Sequence, residues 1–272
     1  MTRPDDPAAR PPRPVELEVQ VPGTPEEVWR AIATGPGISA WLQPTEVEPR
    51  PGGRFSFDLG AGPQSGTVTA WDPPHHFGQE VAWPPGGGRP GARLATEWHV
   101  QARAGGTCVV RMVMSGFGSA EDWDEELEGI ATGMRAALAS LRLYLTHFAG
   151  QAGVWVRAAG ADPGPPDRSW ARLTDALGLA GAVEGAPATA AGAGEPALSG
   201  VVERVVDGGA AGHSLLLRVE RPVPGLANLF VLGGWVGLEA CLYGDRAAAL
   251  AARLAPRWRR FMDTRFPAAG GP

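Results

Sequence analysis

Residues 119–148 read SAEDWDEELEGIATGMRAALASLRLYLTHF. In this stretch Trp123, Leu127, Ile130, Met134, Leu138, Leu141, Leu145 and Phe148 recur at steps of three or four, which marks one face of an α-helix. Ser119 and Asp122 suit its N-terminal cap. Acidic residues crowd the start, from Glu121 to Glu128, where the helix dipole favours negative charge. Arg135, Arg142 and His147 lie further along. A helix of this length spans roughly 40–45 Å, enough to cross a whole sheet.

The text before this helix is strand and turn. Val15, Leu17, Val19 and Val21 alternate with Glu16, Glu18 and Gln20, the period of a half-buried strand. Thr24-Pro25-Glu26-Glu27 then reads as a capping box with proline in the first turn. The helix that follows turns Val28, Trp29 and Ile32 inward and stops at Gly35-Pro36-Gly37. A short second helix is expected to carry Ile38, Trp41 and Leu42. Further strands are expected at Arg54–Leu59, Gly66–Trp71, Phe77–Trp83, Ala92–Gln101 and Thr107–Ser115. Pro84–Gly91 is expected to form a long tip. One strand, two helices, five or so antiparallel strands and a long helix make an α+β domain over residues 15–150.

The remainder, residues 151–267, is expected to form a second, smaller α+β domain. Strands are expected at Val154–Arg157, Leu198–Val206, Ser214–Arg221, Leu226–Leu232 and Gly237–Tyr243. A helix is expected at Arg168–Leu177. A final helix from about Asp245 carries Leu250, Leu254, Trp258 and Phe261, with Pro256 expected to kink or split it. Residues 181–196 lack periodicity and read as a flexible insert. The order echoes the first half, and Cys108 and Cys241 each sit in the last strand before a terminal helix. Two readings stand: a shortened copy of the first domain, or an unrelated α+β extension.

Composition excludes several classes. The net charge is -5, and all 24 basic residues are arginine, with no electrostatic footprint for nucleic acid. No apolar run approaches the length of a membrane span, so no membrane insertion is expected. Residues 1–14, rich in proline and arginine, read as a disordered tail without the apolar stretch of a signal peptide. Two distant cysteines make neither a disulfide framework nor a zinc cluster, and the expected compartment is the cytoplasm.

Residues 15–148 resemble the SRPBCC, or START-like, superfamily of helix-grip proteins. Within it they are most similar to the activator of heat-shock-protein ATPase homologue group. The resemblance rests on Thr24-Pro25-Glu26-Glu27-Val28-Trp29, Trp41-Leu42, Gly52-Gly53-Arg54-Phe55 and Gly66-Thr67-Val68 through Asp72-Pro73-Pro74. It continues with Trp83, Gly106-Thr107, Ser115-Gly116-Phe117 and the long helix. Many members carry Gly-Trp where this chain has Gly133-Met134. The resemblance implies a curved antiparallel sheet gripping the long helix around a cavity. Members include lipid and hormone binders, polyketide aromatase/cyclases and stress-related proteins, and the group's namesake domain binds a chaperone. Fold alone does not choose among these.

On that shape the expected cavity wall is Trp41, Phe55, Phe57, Trp98, Met112, Met114, Ile130, Met134 and Leu138. The expected activity is non-enzymatic binding of a small apolar or amphipathic molecule. An aromatase/cyclase-like enzyme and a chaperone-cofactor-like protein-binding module are the alternatives, the latter with a protein partner. We assign Leu94, Thr96, Trp98 and Val100 to the inner side of their strand. If the other side faced a pocket instead, Glu97 and His99 would form an acid/base pair. His75-His76 lacks a third ligand at recognisable spacing and reads as turn residues, so neither metal nor cofactor is expected. Arg54 and Arg111 read as surface ion-pair partners. Pro84–Gly91 has no Lys-Ser/Thr and fails as a phosphate loop.

Overall fold

A computed structural model describes residues 14–58, 63–82, 93–117, 123–193, 196–209 and 212–267, with the side chains of residues 117–130 excepted. The expected N-terminal tail, Leu59, Trp83, the Pro84–Gly91 tip and the Ser119 cap lie outside the described residues. The chain divides into two compact units, Met1–Gly35 with Pro44–Arg135 and Pro36–Gln43 with Ala136–Pro272.

The first unit holds β1 (Val15–Pro22), α1 (Pro25–Ala33), β2 (Thr45–Val47), β3 (Arg54–Asp58), β4 (Pro63–Asp72), β5 (His76–Ala82), β6 (Arg93–Arg103) and β7 (Thr107–Phe117). These strands form one antiparallel sheet in the order β1-β7-β6-β5-β4-β3-β2. The first strand thus pairs with the last, from Val15 opposite Met114 to Pro22 opposite Thr107. Alternation along each strand buries one face, with Leu17, Val21, Phe77, Trp98, Val110 and Met112 all on it.

Helix α1 starts where the sequence signals it. The Thr24 side chain accepts the Glu27 N–H, and Glu27 Oε2 accepts the Thr24 N–H at 2.8 Å. Its buried residues Val28, Trp29 and Ile32 pack α1 onto the sheet at β6. The helix ends before Gly35, but the Gly-Pro-Gly run also opens the short α2 (Gly35–Ser39). Trp41 therefore sits in the turn after α2, not within it. Strand β2, too short to show alternation, is absent from the sequence reading.

The long helix is α3 (Trp123–His147), whose residues from Ala136 onward belong to the second unit. That unit continues with β8 (Val154–Ala161), α4 (Pro166–Leu177), β9 (Pro187–Ala190), β10 (Leu198–Asp207), β11 (His213–Arg221), β12 (Gly225–Leu232), β13 (Trp235–Leu242) and α5 (Ala247–Arg265). Its sheet runs β8-β13-β12-β11-β10-β9, again with first strand against last. Strand, helix, strands and terminal helix thus recur with one strand and one helix fewer, the pattern of a shortened copy.

Two expectations for this unit need correction. The stretch 181–196 is not a structureless insert, because Pro187–Ala190 adds an edge strand to β10. Its alanines gave no periodic signal, and proline is tolerated at the start of an edge strand. Helix α5 is not split, because it continues through Pro256. A proline inside a helix costs about 3 kcal/mol. Burial of Leu250, Leu254, Trp258, Phe261 and Met262 on one side of α5 offsets that cost.

The core of the second unit fills the face of its sheet covered by α4 and α5, with Leu173, Leu177, Val202, Leu217, Leu238 and Leu254 at its centre. On the other face the segment Pro36–Gln43 is held by its backbone carbonyls. The Tyr243 hydroxyl donates to the Ala40 carbonyl at 2.6 Å, and the Cys241 thiol donates to the same oxygen at 3.2 Å. The Trp155 indole donates to the Ser39 carbonyl at 2.7 Å. Phe148, just after α3, stacks on Tyr243 at 4.3 Å. Any side chain at Gly153 would collide with Cys241 Sγ and Ala40, so only glycine lets this segment approach.

Burial pushes the Cys241 thiol up to about 12, against the lowering effect of its Tyr243 hydrogen bond and the Arg157 charge. The Tyr243 hydroxyl is also raised, first by burial and then by Cys241. Because the folded thiol titrates above its ordinary value of 9.0, its contribution to stability is complete below that value and fades as pH rises toward about 12.

Two outcomes follow from this architecture. Replacing Thr24 with alanine is expected to lower stability by about 1 kcal/mol, measured by urea unfolding. Cys241 is expected to resist iodoacetamide at about pH 8 in the folded chain and to react readily in denaturant, read by peptide mass spectrometry. Labelling of Cys241 in the folded chain at the denatured rate would contradict the burial described.

Candidate functional site

The register of the first sheet brings part of the expected wall together. Phe77 lies opposite Trp98, and Trp98 opposite Met112. Phe55 and Phe57 approach with ring centroids 5.8 Å apart, and Phe55 lies 6.3 Å from Phe77. Phe55, Phe57, Trp98, Met112 and Met114 are all buried on this inner face. The inward assignment of Leu94, Thr96, Trp98 and Val100 agrees with their burial.

The remaining expected wall residues are placed differently. Trp41 and Leu138 are buried in the second unit. Met134 is half-buried on the part of α3 that belongs to the first unit, and the Ile130 side chain lies outside the described residues.

An aromatic cluster that sequence reasoning missed occupies one end of the inner face. Trp29 of α1 meets Trp71 edge-on at 5.2 Å and Phe77 at 6.4 Å. Trp71 and Phe77 lie 5.7 Å apart. Such edge-to-face contacts add to the burial of the rings. They fill that end with protein.

Beside the cluster runs a row with another character. Val68, Gln79, Thr96, Met114 and Val15 lie opposite one another across five strands. Val68 and Met114 are fully buried, and Thr96 is 7% exposed. Gln79 Oε1 is buried and has no hydrogen-bond partner among the described residues. A buried acceptor left unsatisfied costs about 1–3 kcal/mol, so this atom marks a place where a donor would be favourable. Nothing in the local sequence His-Phe-Gly-Gln-Glu-Val singles out Gln79. Its position follows from the alternation that turns Phe77 and Val81 inward.

The outer face is polar. Arg111 pairs with Glu16 at 2.7 Å, Arg54 with Glu46 at 3.0 Å and Arg93 with Glu80 at 2.6 Å. Exposed pairs of this kind contribute little to stability. Glu97 and His99 lie here too, so they do not line the inner face as an acid/base pair. His76 stands opposite His99. The reading of His75-His76 as lacking further ligands is corrected on this point, because His76, Glu97 and His99 place their donor atoms within 4.8 Å of one another. Elsewhere, a cavity of about 490 Å³ in the second unit is lined by Arg172, Asp175, Ala176, Arg265 and Phe266. Arg172 stands over the Phe266 ring at 4.8 Å.

An antiparallel sheet closed by its first strand, with a long helix after its last, defines the helix-grip class of α+β proteins. More particularly, residues 22–146 match the family described as Activator of Hsp90 ATPase homolog 1-like protein. No curated protein matches the chain. Among solved structures, a protein of Mesorhizobium loti is 24% identical over 50% of this chain and 98% of its own, with a TM-score of 0.45. The Aha1 dimer from Colwellia psychrerythraea is 18% identical over 51% of this chain and 99% of its own, with a TM-score of 0.41. The di-domain ARO/CYC BexL from the BE-7585A biosynthetic pathway covers 93% of both chains at 15% identity, with a TM-score of 0.43.

Replacing Gln79 with leucine removes the orphaned acceptor at similar volume. The ligand-free chain is expected to gain about 1 kcal/mol, measured by urea unfolding. A loss of stability instead would mean that the amide is satisfied in solution.

Proposed function

We propose that the first unit binds a small, mainly apolar molecule carrying one hydrogen-bond donor against the inner face of its sheet. The observation that carries this reading is the unsatisfied Gln79 Oε1 in a row otherwise made by Val68, Thr96, Met114 and Val15. Apolar walls with a few placed polar groups are the usual make-up of small-molecule sites. Phe55, Phe57, Trp98 and Met112 supply the apolar contact, and methionine adapts to varied shapes. Met134, on the part of α3 that belongs to the same unit, completes the proposed set of contact residues. The role is binding without catalysis, and the ligand requires no cofactor.

The test is a thermal-shift screen of the full chain with matched pairs of long-chain alcohols and their methyl ethers, and of hydroxylated and methoxylated polycyclic aromatics. The donor-bearing member of a pair is expected to raise Tm more than its ether. Gln79→Leu is expected to erase that difference while apolar affinity remains. No shift with any pair, together with no small molecule retained in native mass spectrometry, would overturn the reading.

A further inference from the structure

We propose that His76, Glu97 and His99 form a binding site for a divalent transition-metal cation on the outer face of the first sheet. The site is separate from the inner face, and its residues come from two strands. His76 opens β5, while Glu97 and His99 share one face of β6. The turn before β5 is held by the His75 N–H donating to the Asp72 carbonyl at 2.7 Å. The Val100 N–H donates to the His75 carbonyl at 2.9 Å, which helps place His76 directly opposite His99.

The local chemistry fits one shared cation. The two imidazoles stack with centroids 4.4 Å apart and planes 9° from parallel, so they are close enough to share a cation once one ring turns about its Cβ–Cγ bond to bring both in-plane lone pairs to one point. Glu97 Oε2 lies 3.8 Å from His76 Nε2 and 3.5 Å from His99 Nε2. These separations exceed a good hydrogen bond, which spans about 2.7–3.2 Å. They approach the roughly 3.4 Å between neighbouring ligands of a tetrahedral centre with bonds of about 2.1 Å. His76 Nε2 is buried and has no hydrogen-bond partner among the described residues. A nitrogen lone pair held there next to a carboxylate oxygen is suited to a metal.

The neighbours permit the arrangement. The residue opposite Glu97 is Gly78, so no side chain stands between its carboxylate and the imidazole pair. A Cβ at Gly78 would lie 2.6 Å from Thr69 Oγ1, so any larger residue there would have to displace that hydroxyl. Arg111, opposite His99, is engaged by Glu16 at 2.7 Å, which offsets its charge near the cation. Two imidazoles and a carboxylate select zinc-like or other first-row transition ions over calcium or magnesium, which prefer all-oxygen sites. Three protein ligands leave a fourth position for water or an exogenous donor. Half-exposed side chains leave that position within reach of solvent.

The experiment titrates zinc chloride into the chelator-treated full chain by calorimetry, with cobalt absorption as a second readout of tetrahedral nitrogen and oxygen ligation. One zinc per chain is expected. His99→Ala is expected to weaken binding about a hundredfold and Glu97→Gln at least about tenfold, because each removes a ligand from a set of three. His75→Ala, at the neighbouring position outside the cluster, is expected to leave binding unchanged. Circular dichroism melts establish that each variant folds, and the conservative Glu97→Gln keeps the test valid if His99→Ala does not. No stoichiometric uptake, equal affinity in Glu97→Gln and the unaltered chain, or loss confined to His75→Ala would overturn the proposal.

Discussion

Each sheet depends on the pairing of its first strand with its last. In the first unit β1 meets β7 along its whole length, and in the second β8 meets β13 in the same way. These are the contacts between the most distant strands of each sheet, so they carry the largest loop-closure cost. Once they form, the strands between them follow as a meander, and the short β2 and β9 are left at the opposite edges. Register is equally constrained. A slip of one residue would turn Leu17 and Val21 to solvent and Glu16 and Glu18 toward the core.

That one ladder creates two chemically different faces. The inward set joins an aromatic plug, Trp29 with Trp71 and Phe77, to a row in which Gln79 Oε1 has no partner among the described residues. The outward set joins His76 to Glu97 and His99. Gln79 and His76 belong to the same short strand and face opposite ways because they are three residues apart. Substitutions that shift β5 against β6 would therefore disturb both faces together. Substitutions confined to one face would leave the other intact.

The second unit repeats the topology with a different means of covering its sheet. Helices α4 and α5 close one face around leucine-rich packing. The other face receives Pro36–Gln43, whose carbonyls are taken up by Tyr243, Cys241 and Trp155. These hydrogen bonds satisfy backbone groups that would otherwise be buried unpaired. They also account for the paired tyrosine and cysteine at the end of β13. Packing likewise decides the course of α5, where a buried stripe on either side of Pro256 outweighs the local cost of proline.

Local pattern was enough to read the long helix, the capping box of α1, the alternating strands β1 and β6, and the inward placement of Trp98. It also revealed the resemblance of the first half to helix-grip proteins. Those features are written in neighbouring residues, because helix and strand periods and caps act over a few positions. The edge strands β2 and β9, the orphaned Gln79 acceptor, the attachment of Pro36–Gln43 and the His76–Glu97–His99 cluster were not legible in that way. Each depends on which distant residue lies across a ladder or against a buried carbonyl, and that is decided only when the strands pair.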